Sequence, residues 1–197
     1  MKLCVFQGTF DPIHTVHLAM ANFVKNTCDF STILFIPAYK PPHKEVDDAL
    51  SNHRLQMVKT AIEGETAFGI SNIEFQNERY SYTYLTIVEL YKRYKIEGKI
   101  GFIIGSDAFR EIDDWYEADK LKLLVDFIVF PREKDLDMDR MSLLKYKGYN
   151  HIITSASVSD LSSTTVRERL ESGRSVAGLV PAKVLEYIRA HGLYKGQ

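Results

Sequence analysis

Two histidines in an N-terminal loop are the side chains whose type and spacing most directly suggest chemistry. The loop reads GTFDPIHTVH over residues 8–17 and follows a short apolar run. His14 and His17 are three residues apart, so they face the same side of a first helical turn. The N–H groups and the dipole of such a turn attract anions, and both imidazoles can donate hydrogen bonds to phosphate oxygens. On its own, H-x-x-H is more often a pair of surface or capping histidines, and zinc would need further ligands that the sequence does not supply.

A second anion-binding pattern lies near the C-terminus, where residues 161–167 read LSSTTVR. Ser162 or Ser163 can cap the helix that follows and leave backbone N–H groups for a phosphate. Arg167 falls within the first two turns of that helix and can reach the same phosphate. Taken alone, the pattern is more typical of an ordinary helix cap, and Arg167 could equally pair with a surface acid.

The elements that must position these loops alternate along the chain. Apolar runs predict strands at 3–6, 32–36, 68–75, 100–104 and 125–130, with a weaker one at 152–153. Apolar residues at helical spacing predict helices at 14–26, 83–94 and 163–170, one capped by Ser51, and one that begins at Pro181 and is capped by Gly192. This alternation predicts a parallel α/β sheet covered on both faces. Such sheets bind ligands at the carboxyl ends of their strands, which here lead into the loops 8–17, 37–44, 105–115 and 162–167.

Composition narrows the class of protein. The 197 residues are 45% hydrophobic and 26% charged, the ordinary mixture of a globular protein with one domain. A net charge of −1 lacks the basic surface of a general nucleic-acid binder but allows one local basic pocket. Two cysteines outside any C-x-x-C pair, no signal peptide and no apolar stretch of about 20 residues predict a reduced, cytoplasmic protein that does not span a membrane.

Taken together, the two end segments resemble the H-x-G-H and I-S-S-T-x-x-R signatures of the nucleotidyltransferase superfamily. Three further segments make the chain similar to the bacterial nicotinate-nucleotide adenylyltransferases: PPHK at 41–44, SYT at 81–83, and IIGSD at 103–107 followed by WY at 115–116. Pantetheine-phosphate adenylyltransferases share the end signatures but are shorter and lack the PPHK and WY segments. The resemblance extends from Leu3 to Tyr194. It implies a Rossmann-like, doubly wound parallel sheet of the nucleotidyltransferase type in a single domain, 1–197, with a short C-terminal helical part at about 163–194.

The reaction implied by the resemblance joins ATP to nicotinate mononucleotide and gives nicotinate adenine dinucleotide and pyrophosphate, a step of NAD biosynthesis. The acceptor is already an anionic phosphate, so positioning and charge stabilisation can carry the catalysis without a strong base. Mg²⁺ is expected to arrive with ATP rather than in a protein cage. The expected partners are the two substrates, without nucleic acid or membrane, and a homo-oligomer is allowed.

The resemblance also assigns roles to residues. Catalytic roles fall to His14, His17, Lys44 and Arg167. The residues expected to bind ATP are Gly8, Thr9, Phe10, His14, His17, Gly105, Asp107, Ser163, Thr164 and Arg167. The residues expected to bind nicotinate mononucleotide are Lys44, Thr83, Asp107, Trp115 and Tyr116. Trp115 and Tyr116 could instead pack a helix, and Asp107 could be a helix cap.

Three positions depart from the family pattern. Val16 replaces the glycine of H-x-G-H and could crowd the adenine, Leu85 stands where many members have aspartate, and Gln7 replaces the first glycine of the loop. These changes leave two alternatives open: an adenylyltransferase with another phosphate acceptor (nicotinamide mononucleotide or phosphopantetheine), or a non-catalytic nucleotide-binding homologue. The charged segment 134–148 matches no site motif and is expected to be a surface excursion.

Overall fold

A six-stranded parallel sheet forms the centre of the molecule. The computed structural model describes residues 1–42, 47–76, 80–132, 136–156 and 159–195. The strands are β1 Leu3–Gly8, β2 Thr32–Pro37, β3 Phe68–Ile70, β4 Ile100–Gly105, β5 Val125–Phe130 and β6 His151–Ile153. Their order across the sheet is β3-β2-β1-β4-β5-β6. The order reverses between β1 and β4, and this switch point is where ligands bind in doubly wound sheets.

Eight helices within the described part of the chain cover the sheet. They are α1 Thr15–Thr27, α2 Ser51–Ala61, α3 Thr83–Arg93, α4 Ser106–Arg110, α5 Ala118–Leu124, α6 Met138–Tyr146, α7 Ser163–Glu171 and α8 Ala182–Ala190. Short 3₁₀ turns lie at Asp48–Leu50, Ile73–Gln76 and Ile112–Asp114. None of the described helices is long and apolar enough to span a membrane.

The alternation of side chains along each strand supplies two cores, one on each face of the sheet. Along β1, Cys4 and Phe6 join a cluster with α1, α2, α7 and α8, whereas Leu3 and Val5 join a cluster with α3, α5 and α6. Successive side chains of a strand point to opposite faces, so an apolar run buried on both sides is the pattern of a covered parallel sheet. The predicted α/β architecture is therefore confirmed.

The sequence prediction was wrong in detail on the β3 side of the sheet. The run 68–75 is not one strand, because the three residues of β3 pair only with β2 and the chain then turns into the 3₁₀ turn Ile73–Gln76. Ser51 is the first residue of α2 rather than its cap, since the 3₁₀ turn Asp48–Leu50 leads into the helix. Pro181 is likewise the N-cap of α8, and the helix begins at Ala182, one residue after the predicted first position.

The segment predicted as a surface excursion contributes to the core where it is described. Asp137 caps α6 by accepting a hydrogen bond from the backbone N–H of Arg140 at 3.0 Å. Met141 and Leu144 of α6 are fully buried in the cluster beneath β4 and β5. The sequence pattern did not predict this helix, because charged residues surround the narrow stripe of apolar residues that it buries.

Candidate active site

Two cavities meet over the carboxyl end of β1, at the switch point of the sheet. We call the first, of about 240 Å³, the aromatic cavity; its floor and walls include Thr83, Phe102, Trp115 and Tyr116. We call the second, of about 570 Å³, the polar cavity. It is lined by charged and polar groups from four loops, among them His14, His17, Asp107, Arg132, Ser163, Thr164 and Arg167. Gln7, Gly8 and Thr9 line both cavities, so the end of β1 forms their common wall.

The loop after β1 depends on the glycine at its start. A Cβ atom at Gly8 would lie 3.0 Å from the ring of Phe10, closer than side-chain carbons normally approach. Phe10 has a φ of +49° and is 2% exposed, so its ring is buried at the base of the loop, and the residue borders the polar cavity. The ring packs edge-on against Phe6 at a centroid distance of 5.4 Å. Gly8 and Phe10 together place the backbone of residues 8–10 directly beside the space that a ligand would occupy.

The two histidines lie at the amino end of α1, as the spacing predicted. Their rings stack with centroids 3.6 Å apart. The backbone N–H of His14 donates to Nδ1 of His17 at 3.2 Å. Because Nδ1 of His17 accepts this bond, the neutral ring carries its proton on Nε2, which is the ring nitrogen that can donate a hydrogen bond.

Burial determines the charge state of His14. His14 is 1% exposed, and burial, aided by the positive charge of Arg132, lowers its pKa from 6.5 to about 4. At neutral pH His14 is therefore an uncharged imidazole. The positive charge of the polar cavity comes instead from the guanidinium groups of Arg132 and Arg167.

Arg167 is fixed against the first loop by contacts on both its sides. Its guanidinium donates to the backbone carbonyl of Asp11 at 2.7 Å and lies 3.5 Å from the Asp11 carboxylate. It also donates to the hydroxyl of Thr164 at 3.2 Å. The hydroxyl of Ser162 caps α7 by accepting from Thr165 N–H at 3.1 Å, and Ser163 donates to the Pro12 carbonyl at 3.0 Å. The C-terminal signature and the N-terminal loop therefore form one site.

Sequence reasoning missed Arg132, which follows β5 and lines the polar cavity. Its backbone N–H donates to the Ser106 hydroxyl at 2.9 Å, and its guanidinium lies 3.5 Å from the Asp107 carboxylate. Its buried Nε has no hydrogen-bond partner among the described residues. A basic residue at the carboxyl end of a predicted parallel strand is the signal that would have found it.

Arg54 was missed as well, because nothing in its local sequence marks it. It is 0% exposed, and its guanidinium donates to the backbone carbonyls of Thr9, Ala38 and Tyr39. These carbonyls belong to the loops after β1 and β2. The buried guanidinium therefore links the two loops and fixes one wall of the aromatic cavity. A buried charge needs such a set of partners to offset its desolvation.

The aromatic cavity is built from rings at the carboxyl end of β4 and the start of α3. The rings of Tyr82 and Tyr116 are 4.6 Å apart, and Trp115, the only tryptophan of the chain, packs edge-on against Phe102 at 6.3 Å. Thr83 begins α3 and is 9% exposed at the cavity wall. The flat aromatic walls suit a planar ring, and an electron-rich face attracts a cationic one.

The remaining predicted residues lie in different surroundings. Asp107 lines the polar cavity and not the aromatic one, and Gly105 ends β4 outside the lining of both. Val16 is 8% exposed within the core cluster of α1 and lines neither cavity. Lys44 and its neighbour His43 lie outside the described residues.

The carboxylates near the polar cavity are already engaged with cations. Asp11 faces Arg167, and Asp107 faces Arg132. Among the described residues there is no group of three or more His, Cys, Asp or Glu that could hold a metal ion. The donor set therefore does not fit a metal cage made of protein side chains, and a divalent cation here would need ligands from a bound phosphate.

Comparison with known proteins first defines the class. The family model described as cytidylyltransferase-like matches residues 5–169, so the chain belongs to the nucleotidyltransferases. One solved structure is a nicotinic acid mononucleotide adenylyltransferase of Plasmodium falciparum with NaAD. It superposes with a TM-score of 0.80 at 21% identity, and the superposition covers 98% of this chain and 97% of that one. This likeness confirms the Rossmann-like fold.

Closer relatives then define the family. A probable nicotinate-nucleotide adenylyltransferase of Caldicellulosiruptor saccharolyticus is 37% identical over 199 residues and covers 99% of this chain and 100% of its own length. One from a Hydrogenobaculum species is 36% identical and covers 98% of each chain. The chain belongs to the nicotinate-nucleotide adenylyltransferase family, as its motifs predicted.

Proposed function

We propose that this protein transfers the adenylyl group of ATP to nicotinate mononucleotide, producing nicotinate adenine dinucleotide and pyrophosphate in NAD biosynthesis. The observation that carries the proposal is the junction of a polar, cationic cavity with an aromatic one at Gly8 and Thr9. Adenylyl transfer needs two such pockets, because a triphosphate and a ring-bearing acceptor must meet with their phosphates in contact. The relatives named above carry this activity in their names.

In the proposed complex the triphosphate lies in the polar cavity and the pyridine ring lies in the aromatic cavity. The acceptor phosphate then lies over the shared wall, Gln7–Thr9, facing the α-phosphorus. The whole chain, 1–197, acts as one nucleotidyltransferase domain in this proposal, because the first and last signatures form one wall of the site.

The reaction balances without a protein base. An oxygen of the acceptor phosphate attacks the α-phosphorus, the bond from that phosphorus to the α,β-bridging oxygen breaks, and pyrophosphate leaves with the bonding pair. The acceptor phosphate is largely deprotonated at neutral pH, since its second pKa is about 6. Catalysis therefore rests on bringing the two phosphates together and stabilising the charge that passes to the leaving group.

The residues of the polar cavity divide that work. Arg167 and the amino end of α7 hold the leaving pyrophosphate, and Arg132 supplies a second positive charge from the other side. His17 donates from Nε2 to the α-phosphate, in the orientation that its bond from His14 fixes. His14 acts as a neutral donor, because burial keeps its pKa near 4.

The proposal also includes a divalent cation and the residues that bind the acceptor. Nucleotidyltransferases generally use a divalent metal with ATP; we assign Mg²⁺, held by the triphosphate since Asp11 and Asp107 already face guanidinium groups. Trp115, Tyr116 and Thr83 receive the nicotinate ring, and Lys44 adds positive charge near the phosphates. We further propose that the enzyme is cytoplasmic, since both cysteines are free thiols. Its proposed substrates are nucleotides and not nucleic acid. A homo-oligomer remains allowed.

The proposal is tested by pyrophosphate release from Mg-ATP with three separate acceptors. We expect strong preference for nicotinate mononucleotide over nicotinamide mononucleotide and phosphopantetheine. Arg132→Gln should lower kcat by about 10²-fold, the scale of losing one charge-stabilising donor, while Arg174→Gln, on the exposed turn after α7, is the matched control. Preference for another acceptor would replace the substrate assignment. Folded protein that binds ATP but turns over no acceptor would favour the non-catalytic alternative.

A further inference from the structure

One buried carboxylate, Glu74, lies behind the aromatic cavity without lining it. It belongs to the 3₁₀ turn Ile73–Gln76, which the sequence pattern had placed in a strand, and it is 7% exposed. It has no guanidinium or ammonium partner among the ion pairs of the described residues. Burying a carboxylate costs free energy unless hydrogen bonds satisfy its oxygens. The donors around Glu74 therefore show which segments it holds together.

The hydrogen bonds of Glu74 come from three separate parts of the chain. The Gln7 amide donates to its Oε1 at 2.5 Å, and the Thr86 hydroxyl donates to the same oxygen at 2.7 Å. The Tyr39 backbone N–H donates to Oε2 at 3.3 Å, and the Ser81 side chain also donates to the carboxylate. Burial raises the pKa of Glu74, and the hydrogen bonds of the network oppose that rise.

These donors belong to the segments that form the aromatic cavity. Gln7 is at the shared wall, Tyr39 begins the loop that carries Pro41 and Pro42, and Ser81 precedes Thr83. Ser81 extends the network, because its hydroxyl accepts from the Lys40 N–H at 3.0 Å and its own N–H donates to the Lys40 carbonyl at 2.9 Å. One carboxylate therefore ties three of the walls together from behind.

We propose that Glu74 is a positioning residue that sets the shape of the acceptor cavity and thereby the affinity for the acceptor nucleotide. This inference rests on the proposed function for the identity of that acceptor. Gln7 is central to it, because a glycine at this position, as the family pattern has, could not donate from a side chain. In this chain the Gln7 amide links Glu74 to the wall between the two cavities.

The test separates positioning from mere stability by comparing the two substrates. Glu74→Gln places an amide N–H among groups that are themselves donors, so we expect the KM for nicotinate mononucleotide to rise about tenfold. The KM for ATP and kcat should stay within about twofold of wild type, because the histidines and arginines of the polar cavity do not contact Glu74. A residue needed only for stability would lower the melting temperature and the active fraction without changing the ratio of the two KM values.

A second variant keeps the test decisive if Glu74→Gln does not fold. Thr86 lines neither cavity, and Thr86→Val removes the hydroxyl that donates to Glu74 at 2.7 Å, together with its longer contact of 3.4 Å to the Tyr82 carbonyl. We expect about a threefold rise in the acceptor KM alone. Glu89→Gln, one turn further along α3 where Glu89 pairs with Arg93 at the surface, is the matched control and should leave both KM values unchanged.

Binding can be followed without turnover, because the only tryptophan, Trp115, lines the aromatic cavity. Titration with nicotinate mononucleotide should quench its fluorescence, with a dissociation constant that rises in Glu74→Gln and Thr86→Val as the KM does. Equal changes for both substrates, or unchanged acceptor binding in folded variants, would overturn the role of Glu74. A wild-type protein with neither quenching nor turnover would reject the proposed function and this inference with it.

Discussion

His14 and His17 show how the same residue type acquires different properties within three positions. His17 is oriented by a hydrogen bond from the backbone of His14, whereas His14 is buried beneath it and its Nδ1 has no partner among the described residues. A buried imidazole without a negative neighbour is most stable uncharged. His14 therefore supplies an N–H donor without a positive charge, and Arg132 and Arg167 supply positive charge to the same cavity.

The neutral state of His14 makes stability depend on pH in a defined window. The folded pKa of about 4 lies below the unfolded value of 6.5, so the unfolded chain binds the proton first as pH falls. The contribution of His14 to stability is fully retained above pH 6.5, falls by about 3 kcal/mol between pH 6.5 and 4, and then levels off. Urea unfolding of wild type and His14→Asn across this range measures the effect. Curves that stay parallel would contradict a neutral His14.

Val16 is the second residue whose role depends on its surroundings. It replaces a glycine of the family signature, yet its side chain is buried in the core cluster of α1 and lines neither cavity. The predicted crowding of the adenine therefore has no counterpart in the cavity walls.

We expect Val16→Gly to change stability more than activity. The loss of a buried side chain and of helix propensity should cost about 2–4 kcal/mol, which lowers the melting temperature by several degrees. Turnover of nicotinate mononucleotide should stay within a few-fold of wild type. Val24→Ala, further along α1 in the same core, is the control for stability alone. A gain in activity above about a hundredfold would mean that Val16 obstructs the nucleotide after all.

At the scale of elements, the last turn of the chain braces the first loop. Tyr194 follows α8, and its hydroxyl donates to the Asp11 carboxylate at 2.6 Å, while Arg167 of α7 binds the Asp11 carbonyl. Burial and the charge of Asp11 raise the pKa of Tyr194, so the hydroxyl remains a donor at any physiological pH. The loop after β1 is thus held by two C-terminal elements.

Removing this brace should affect catalysis from outside the cavities. Tyr194→Phe loses one hydrogen bond to a carboxylate, worth about 1.5–3 kcal/mol, and should lower kcat several-fold as Asp11 and Arg167 gain freedom. Tyr146→Phe, at a 90% exposed position on α6, is the control. Steady-state kinetics with both substrates measure the difference. Unchanged kcat in folded Tyr194→Phe would show that the C-terminal turn is only structural.

The sequence predicted elements well where local pattern decides the outcome. The mostly apolar run 125–130 became β5 residue for residue, because neighbours cover both of its faces. The helix α1 lies within one residue of its prediction, because its buried residues recur at helical spacing. The prediction was wrong at 68–75, where an edge strand of three residues has only one partner to extend it. Arg54, Glu74 and Arg132 escaped prediction because their partners lie far away in sequence.

For the whole molecule, the position of the site follows from the order of the strands. The order of the parallel strands reverses between β1 and β4, and the loops that follow β1, β2, β4 and β5 converge there with the amino end of α7. Motifs near residues 8–17 and 161–167 identified the polar cavity because each is a helix start. Their contact, and the second cavity beside them, arise only from the fold.

The most direct test of this account is a crystal structure of the protein with nicotinate adenine dinucleotide bound. We expect the pyridine ring in the cavity of Trp115 and Tyr116, with the bridging phosphates over Gly8 and Thr9 beside His17. The adenosine part should extend along the side of the polar cavity that α7 closes. A dinucleotide bound with its pyridine ring outside the aromatic cavity, or with its phosphates away from His17, would contradict it.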